Sequence, residues 1–291
     1  MPTAALQGLT LAFIGSGTMA EAMIQALLRA GQVTPDQIIA SGPRAERAEE
    51  LRSCHGVRVT TDNGAAAGEA DVVILSVKPQ VLPSVLTELR GRIRPAALVF
   101  SIVAGMPMAA IHAGLGHGAI VRTMPNTPAQ IKAGMTVWTA APAVSEAQRA
   151  QAQAILQTMG LEMYVTHEDA LNMATAVSGT GPTYVFLLME ALVDAAVHLG
   201  FSRRQARLLV IQTVLGSAQF AQQSDLHLAQ LRNQVTSPGG TSAEAIYQLE
   251  KGGLRTILSK AIWAAYKKSR LLGEQVQQPL EGPLRVDGGE S

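Results

Sequence analysis

Residues 9–20 have the sequence Leu9-Thr10-Leu11-Ala12-Phe13-Ile14-Gly15-Ser16-Gly17-Thr18-Met19-Ala20, and this stretch decides the fold. An apolar run ends in a glycine turn, and apolar residues at helical spacing follow as far as Ala30. In a dinucleotide-binding turn, Gly15 permits the tight bend, Gly17 lets the backbone approach a pyrophosphate, and Ala20 allows close packing of helix on strand. A GxGxxA pattern is weakly specific by itself, but the order strand, turn and helix supports it. We therefore predict a dinucleotide site at the N-terminus of this helix, where free N–H groups favour anions.

The segments after the turn alternate between strand and helix. Strands that alternate with helices indicate βαβ units and a parallel sheet. The predicted strands are Leu9–Ile14, Ile38–Ser41, Val57–Thr60, Asp71–Val77, Leu98–Ile102 and Ala119–Arg122. A short strand pair, 135–139 and 162–165, flanks a predicted helix over 146–159. The fold class is therefore α/β, with an N-terminal Rossmann-type doubly wound sheet.

Strand signals disappear from His167 onward, and long helical patterns follow. We predict a Rossmann domain over 1–165, an all-helical C-terminal domain over 166–274 and a frayed, polar tail over 275–291. The segment 185–197 is apolar on more than one face, and a helix that is apolar all round must be buried. We expect a homodimer to cover this surface, and a larger intramolecular core is the alternative.

The composition excludes several classes of protein. Of the 291 residues, 47% are hydrophobic and 15% are charged, which is typical of a globular chain. The formal net charge is +1, so we expect neither a nucleic-acid nor a membrane partner. Cys54 is the one cysteine, which excludes an intrachain disulfide and a cysteine-cluster metal site. We predict no metal, because the six histidines are scattered along the sequence.

Two long stretches, 95–121 and 170–189, lack charged residues. Glycine and proline interrupt both, at Gly179, Gly181 and Pro182 in the second, so we expect neither to span a membrane. Residues 1–10 have no basic segment and no cleavage-like site, which argues against a signal peptide. A cytoplasmic location is the expectation.

The end of the second strand distinguishes between the two nicotinamide cofactors. An acidic residue there would hold the ribose 2′-OH of NADH, but this chain has Ser41-Gly42-Pro43-Arg44, with Arg47 one turn later. A hydroxyl and a guanidinium suit a 2′-phosphate. We expect NADPH, with NADH as the alternative; the arginines could instead form a solvated helix face.

Two further loops lie where predicted strands end, at the edge of the sheet that binds ligands. Lys78 follows the Asp71–Val77 strand and is predicted to lie near the cofactor; a solvated loop residue is the alternative. Asn126 lies in Met124-Pro125-Asn126-Thr127-Pro128, where its amide can contact the cofactor and the prolines stiffen the connection between domains.

The stretch Val235-Thr236-Ser237-Pro238-Gly239-Gly240-Thr241-Ser242 is the second informative segment. It precedes a predicted helix over 243–250, so its glycine amides and the helix N-terminus form a carboxylate site. The alternative is a plain helix cap by Thr241 or Ser242. A cap and a carboxylate cradle use the same geometry, so both can hold.

These segments together resemble the pyrroline-5-carboxylate reductases, and the resemblance spans residues 9 to 272. Order and spacing match, and the last two of the following motifs are specific to the family. The motifs are Phe13-Ile14-Gly15-Ser16-Gly17-Thr18-Met19-Ala20, Ser76-Val77-Lys78-Pro79-Gln80, Arg122-Thr123-Met124-Pro125-Asn126-Thr127-Pro128, Ala176-Val177-Ser178-Gly179-Thr180-Gly181-Pro182-Thr183-Tyr184 and Val235-Thr236-Ser237-Pro238-Gly239-Gly240-Thr241.

The resemblance implies reduction of 1-pyrroline-5-carboxylate to L-proline with NAD(P)H, the last step of proline biosynthesis. It also implies a helical dimerisation domain, an active site completed near the dimer interface, and in some members a ring of dimers. The implied cofactor positions are Gly15, Gly17, Thr18, Met19, Ala20, Asn63, Val77, Lys78, Pro79 and Ala104. The implied substrate loop comprises Ser237, Gly240, Thr241 and Ser242.

Ser242 has a specific expected role, and two further residues enter through the resemblance. Ser242 is expected to hydrogen-bond the ring nitrogen of the substrate, although a serine is a poor general acid at its normal pKa. Glu168 and Asp225 resemble family positions near the substrate, and their alternative is favourable charge at a helix N-terminus.

The chain departs from the family pattern at three positions. Ser242 stands where the family usually has threonine, and Thr180 and Thr183 stand where it usually has smaller residues. Serine keeps the hydroxyl and loses a methyl group, so hydrogen bonding should survive with looser positioning. The two threonines put substrate fit in doubt and leave the reaction class unchanged.

Two other functions compete with this interpretation. A β-hydroxyacid dehydrogenase generally has a catalytic lysine on a helix of its second domain, but no lysine occurs here between Gly181 and Lys251. A non-catalytic nucleotide-binding regulator would be expected to have lost the Ser237–Ser242 loop, which this chain keeps.

Overall fold

The computed structural model describes residues 4 to 277. Eight strands form one sheet, and all eight follow the predicted segments within a few residues. The strands are β1 (Leu11–Ile14), β2 (Ile38–Ser41), β3 (Arg58–Thr60), β4 (Val72–Leu75), β5 (Leu98–Ser101), β6 (Ile120–Met124), β7 (Gly134–Ala140) and β8 (Gly160–Tyr164). Their spatial order is β3-β2-β1-β4-β5-β6-β7-β8. The strands β2 and β3 add on one side of β1, and the later strands, from β4 onward, add on the other side. The point between β1 and β4 is therefore the switch point at which doubly wound sheets bind nucleotides.

All neighbouring strands are parallel except β6 and β7, which are antiparallel. Six helices accompany the sheet: α1 (Thr18–Arg29), α2 (Ala45–His55), α3 (Asn63–Glu69), α4 (Leu82–Leu89), α5 (Met108–Leu115) and α6 (Glu146–Gln157). We did not predict α3. It has seven residues, includes two glycines and offers little periodicity.

The core lies on both faces of the sheet. Phe13 packs on one face with residues of α1, α2 and α6, whereas Ile14 packs on the other face with residues of α3, α4 and α5. Both side chains are fully buried. Successive residues of a strand point to opposite faces, so a strand covered on both sides is continuously apolar. That burial fixes the end of β1, and with it the position of the glycine turn.

The remaining helices are α7 (Ala170–Ala174), α8 (Gly181–His198), α9 (Arg203–Gln222), α10 (Leu228–Gln234), α11 (Thr241–Lys251) and α12 (Leu254–Gln277). No strand occurs after β8 in the described part of the chain, in agreement with the predicted helical C-terminal region. α12 extends to Gln277, so the first three residues of the predicted tail are helical, and the rest of that tail lies outside the described residues.

The chain forms two compact units. The described part of the first unit comprises residues 4–180 and 265–277, and the second unit comprises Gly181–Ala264. The predicted domain division at residues 165/166 stays a prediction. In the structure, residues 166–180 belong to the unit of the sheet, because α7 packs on β6 and β7.

We predicted that Gly179, Gly181 and Pro182 interrupt the apolar stretch after residue 170, and this was wrong. A π-helical turn, Thr175–Gly179, joins α7 to α8, so residues 170–198 form one long helical segment. Among the described residues, this segment alone is long and apolar enough to cross a membrane, with 6% of its most apolar window buried. Length and composition are weak support for a membrane span, because an interface helix of a soluble protein has the same properties.

Candidate functional site

The glycine turn at the end of β1 is held by backbone hydrogen bonds from two neighbouring strands. Gly15 N–H donates to the Ser41 carbonyl at 2.9 Å, and Ser76 N–H donates to the Ile14 carbonyl at 2.9 Å. The Ser76 hydroxyl donates to the Gly15 carbonyl at 2.7 Å. Gly15 has φ +105°, and a Cβ there would lie 2.8 Å from the Ser76 backbone. No other residue fits this position, because both the conformation and the space exclude a side chain.

Gly17 has a different role from Gly15. It adopts ordinary extended backbone as the N-cap of α1, and a Cβ would meet nothing within 4 Å. No side chain caps the helix, and within residues 4–277 the N–H groups of Thr18 and Met19 have no backbone acceptor. The open face of Gly17 and these free donors fit a pyrophosphate. Ala20 is 1% exposed and packs toward the sheet, which is the role predicted for the third position of the motif.

The side chains at and beyond the end of β2 include a buried, hydrogen-bonded serine and an exposed arginine. Ser41 is fully buried, and its hydroxyl lies 2.7 Å from Oδ1 of Asn63. Asn63 in turn donates to Glu88 at 2.9 Å. We predicted a cofactor contact for Ser41, and this stays a prediction; in the structure its side chain is buried beside Asn63. Arg44 is exposed at the N-cap of α2, and its side chain has no hydrogen bond or ion pair with any other described residue.

Each of the three Arg47 nitrogens already has an acceptor within the protein. Its Nε donates to the Ser16 carbonyl at 3.0 Å, Nη2 lies 2.5 Å from Glu21, and Nη1 lies 2.8 Å from Glu50. His55 contacts the other Glu21 oxygen at 3.2 Å. The Arg47 hydrogen bond lowers the pKa of the Glu21 carboxyl against the opposing effect of burial, and His55 lowers it further. The sequence did not reveal this network, because Arg47 and Glu21 are separated by 26 residues.

The loops that follow β4 and β5 lie at the same edge of the sheet as the glycine turn. Val77 and Pro79 are half-buried, and Lys78 is exposed without a side-chain partner among the described residues. Ala104 is half-buried beside Gly105, whose Cβ position lies 3.0 Å from the Ser269 carbonyl of α12. The predicted cofactor residues of the first unit therefore surround one sheet edge.

Asn126 connects the β6 loop to the π-turn. Its Nδ2 donates to the Ser178 carbonyl at 3.1 Å, and its Oδ1 accepts from Met135 N–H at 2.9 Å. Pro182 has no N–H to donate to the carbonyl four residues earlier, so the Ser178 carbonyl is free to accept from Asn126. Both ends of the amide are therefore used within the protein, and the predicted cofactor contact of Asn126 stays a prediction.

The two threonines that depart from the family pattern have different surroundings. The Thr180 hydroxyl donates to the Thr175 carbonyl at 2.8 Å, within the π-turn. Thr183 is exposed on α8. The Thr180 hydroxyl is thus satisfied locally.

Glu168 lies beside a buried arginine. Its Oε1 accepts from Arg122 Nη1 at 2.8 Å and from Met108 N–H, at the start of α5, at 2.7 Å. The Arg122 side chain is 3% exposed and that of Glu168 is 28% exposed. Glu168 therefore neutralises a buried cation and accepts from the first N–H of α5, and its predicted substrate contact stays a prediction.

The Ser237–Ser242 loop opens α11 in the second unit. Gly240 is the N-cap, without a side-chain cap, so the structure does not support the alternative of a plain cap by Thr241 or Ser242. Within residues 4–277, the N–H groups of Thr241 and Ser242 and both their hydroxyls have no hydrogen-bond partner. Ser237 lies close beside Gly240, which has no room for a side chain there. The loop therefore presents four free donors at a helix N-terminus.

Asp225 is the remaining predicted substrate residue. It lies in the exposed connection between α9 and α10, without an ion pair to any residue that the structure describes. Its carboxylate is available to a ligand, and its predicted role stays a prediction.

Two family models match the sequence. The model described as pyrroline-5-carboxylate reductase dimerisation matches residues 168–272. The model described as NADP oxidoreductase coenzyme F420-dependent matches residues 10–105. The first contains the Ser237–Ser242 loop, and the second contains the glycine turn.

Curated relatives and solved structures point to the same family. Proteins named pyrroline-5-carboxylate reductase from Synechocystis sp. and Pseudomonas aeruginosa are each 42% identical, over 91% and 92% of this chain and 98% of their own length. The structure of a pyrroline-5-carboxylate reductase from Coxiella burnetii is 39% identical, with a TM-score of 0.83 over 91% of this chain and 98% of that one. The Plasmodium falciparum pyrroline carboxylate reductase, solved with NADP bound, is 29% identical, with a TM-score of 0.85 over 92% of this chain and 99% of that one.

Proposed function

The chain belongs to the pyrroline-5-carboxylate reductase family, and from that premise we propose how its residues divide the work of the reaction. The protein is an oxidoreductase that reduces 1-pyrroline-5-carboxylate to L-proline with NAD(P)H, the last step of proline biosynthesis. The observation that carries the assignment of residues is the uncapped N-terminus of α11, with its free amides and hydroxyls.

The cofactor is assigned to the first unit. The N–H groups of Thr18 and Met19 and the open face of Gly17 would hold the pyrophosphate. Asn63, Val77, Lys78, Pro79 and Ala104 line the rest of this sheet edge. When bound, the nicotinamide supplies the hydride, and these residues hold and orient it.

We assign NADPH as the preferred cofactor, with NADH as the weaker alternative. Arg44 is exposed beyond β2 with its guanidinium free among the described residues, so it can pair with a 2′-phosphate. Arg47 does not serve this purpose, because Ser16, Glu21 and Glu50 already use its nitrogens.

The substrate is assigned to the loop of the second unit. Its carboxylate accepts from the free N–H groups of Thr241 and Ser242, where the helix dipole favours an anion. The Ser242 hydroxyl hydrogen-bonds the ring nitrogen and holds the C=N group in place. Ser237, Gly240 and Asp225 complete the surroundings of the substrate. Because serine is a weak acid, the proton on nitrogen comes from water or arrives with a protonated iminium.

The protein is an oligomer through its dimerisation domain. We propose a homodimer, and a larger ring of dimers as its further assembly. On α8, Val185, Phe186 and Leu187 are 41%, 62% and 65% exposed, which is unusual for large apolar side chains. A second copy that covers this helix also accounts for the apolarity of residues 170–198 without a membrane. A cytoplasmic location is part of the same proposal.

The experiment that tests the function is nicotinamide oxidation by the purified protein with pyrroline-5-carboxylate, with NADPH and NADH in parallel. Rapid oxidation, faster with NADPH at low cofactor concentration, is the expected result. Absence of oxidation in a protein that still binds NADPH would contradict the proposed substrate.

A further inference from the structure

Arg47 contacts the glycine turn from outside the cofactor site. Its Nε donates to the Ser16 carbonyl at 3.0 Å, between the two glycines of the turn. The side chain is only 19% exposed, and Glu21 and Glu50 hold its two Nη atoms at 2.5 and 2.8 Å. A guanidinium with all three nitrogens engaged is fixed in orientation, because its donors form a rigid fork.

The Ser16 carbonyl matters because it belongs to the peptide unit that precedes Gly17. A peptide unit is planar, so the orientation of this carbonyl fixes the opposite orientation of the Gly17 N–H. Glu21 completes the arrangement from the first turn of α1. A carboxylate there would repel a pyrophosphate, and the Arg47 charge offsets it.

We propose that Arg47 is a positioning residue for the pyrophosphate site, which holds the Ser16–Gly17 peptide and neutralises Glu21 without contacting the cofactor. Arg44 and Arg47 thus have separate tasks: Arg44 recognises the 2′-phosphate, and Arg47 shapes the turn that NADPH and NADH share. The inference rests on the proposed function only for the identity of the cofactor.

The two tasks predict different effects on the dissociation constants of NADPH and NADH. We expect Arg47→Gln to weaken the binding of NADPH and of NADH by the same factor, about tenfold, because one charge-assisted hydrogen bond to Ser16 and the ion pairs with Glu21 and Glu50 are lost. The ratio of the two dissociation constants should stay at its wild-type value. Direct titration of each cofactor into the full-length protein measures this ratio without any substrate, so the result does not depend on pyrroline-5-carboxylate being reduced.

The matched control is Arg52→Gln, on the same helix. Among the residues that the structure describes, Arg52 forms an ion pair only with Glu49, and both side chains are more than half exposed, so neither dissociation constant should change. Arg47→Lys keeps a charge near Glu21 but loses the Nε donor, and a smaller loss, about threefold, is expected for both cofactors. This variant keeps the test available if Arg47→Gln does not fold.

Two results would overturn the proposal. A loss confined to NADPH would show that Arg47 contacts the 2′-phosphate itself. Unchanged affinity for both cofactors, in variants with wild-type melting temperatures, would show that the turn does not need Arg47. Failure of the proposed function has a different signature, namely wild-type protein that binds NADPH normally and does not turn over.

Discussion

The glycine turn and the Ser237–Ser242 loop both present a helix N-terminus to an anion, yet their surroundings differ. The turn is held by backbone bonds to β2 and β4, and Gly15 has no room for a Cβ. The loop is exposed or half-buried and is held by a few bonds of its own, such as Gly240 N–H to the Ser237 carbonyl at 3.1 Å.

This difference predicts that the two segments contribute differently to stability and to the reaction. Substitution of the enclosed Gly15 should affect stability and cofactor binding together, since this residue is bonded to the neighbouring strands and has no room for a side chain. Substitutions in the loop should affect only the binding and turnover of the substrate, since few structural contacts depend on the loop. The following variants test that separation, beginning with the largest expected effect.

Gly15→Ala should abolish measurable cofactor binding and cost about 2–4 kcal/mol of stability, because it adds a clash to a positive φ. Gly17→Ala is the matched control, because its Cβ meets nothing within 4 Å. That variant should keep the wild-type free energy of unfolding. It should weaken NADPH binding by about tenfold or more, because the added methyl group would contact the pyrophosphate. Chemical denaturation and NADPH titration of both proteins would distinguish them, and equal stability of the two would break the comparison.

Glu168→Gln should lower the stability by about 1–3 kcal/mol, because Arg122 is left buried beside a neutral partner. Thermal denaturation measures this effect, with Glu146→Gln as the control, since that residue forms an exposed ion pair with Arg149. A raised KM for pyrroline-5-carboxylate with unchanged stability would instead support the substrate contact predicted from the sequence.

Arg44→Gln should raise the KM for NADPH by about tenfold and leave that for NADH unchanged, because only NADPH has a 2′-phosphate. NADH is the internal control of this measurement. Equal losses for both cofactors would remove Arg44 from the recognition of the phosphate.

Glu21→Gln should have the smallest effect, below about 1 kcal/mol, because the carboxylate is about one-third exposed and partly screened. The pKa of Glu21 is lowered in the folded protein from its ordinary value of 4.5, so its stabilisation is present above pH 4.5 and is lost as the pH falls through the folded pKa. Urea unfolding at pH 7 and at pH 3.5 should show a difference from wild type that shrinks at the lower pH. A difference that stays constant would contradict the linkage.

The sequence predicted the sheet and the turn because both depend on local patterns. Buried strands are continuously apolar, and the turn requires glycine at fixed spacing. Predictions from local patterns were wrong where the folded structure accommodates an unfavourable residue. Gly179 and Pro182 favoured an interruption, but the π-turn accommodates them and the Ser178 carbonyl accepts from Asn126 instead.

Contacts between distant residues account for the rest of what the sequence did not reveal. The Arg47–Glu21 and Arg122–Glu168 pairs join residues 26 and 46 positions apart. Each member is an ordinary charged residue when considered by itself. The sequence predicts a phosphate contact for the exposed Arg44 at the start of α2, and this stays a prediction, whereas the contacts of Arg47 one turn later required the structure.

The central claim is that the loop acts on the substrate and the turn acts on the cofactor. The most direct test measures NADPH affinity and turnover of pyrroline-5-carboxylate in the Ser242→Ala variant, with Ser242→Thr as the conservative control. We predict unchanged NADPH affinity, a loss of kcat of about 100-fold, and near-normal turnover by the threonine variant. Wild-type turnover by Ser242→Ala, or loss of NADPH binding together with turnover, would contradict the claim.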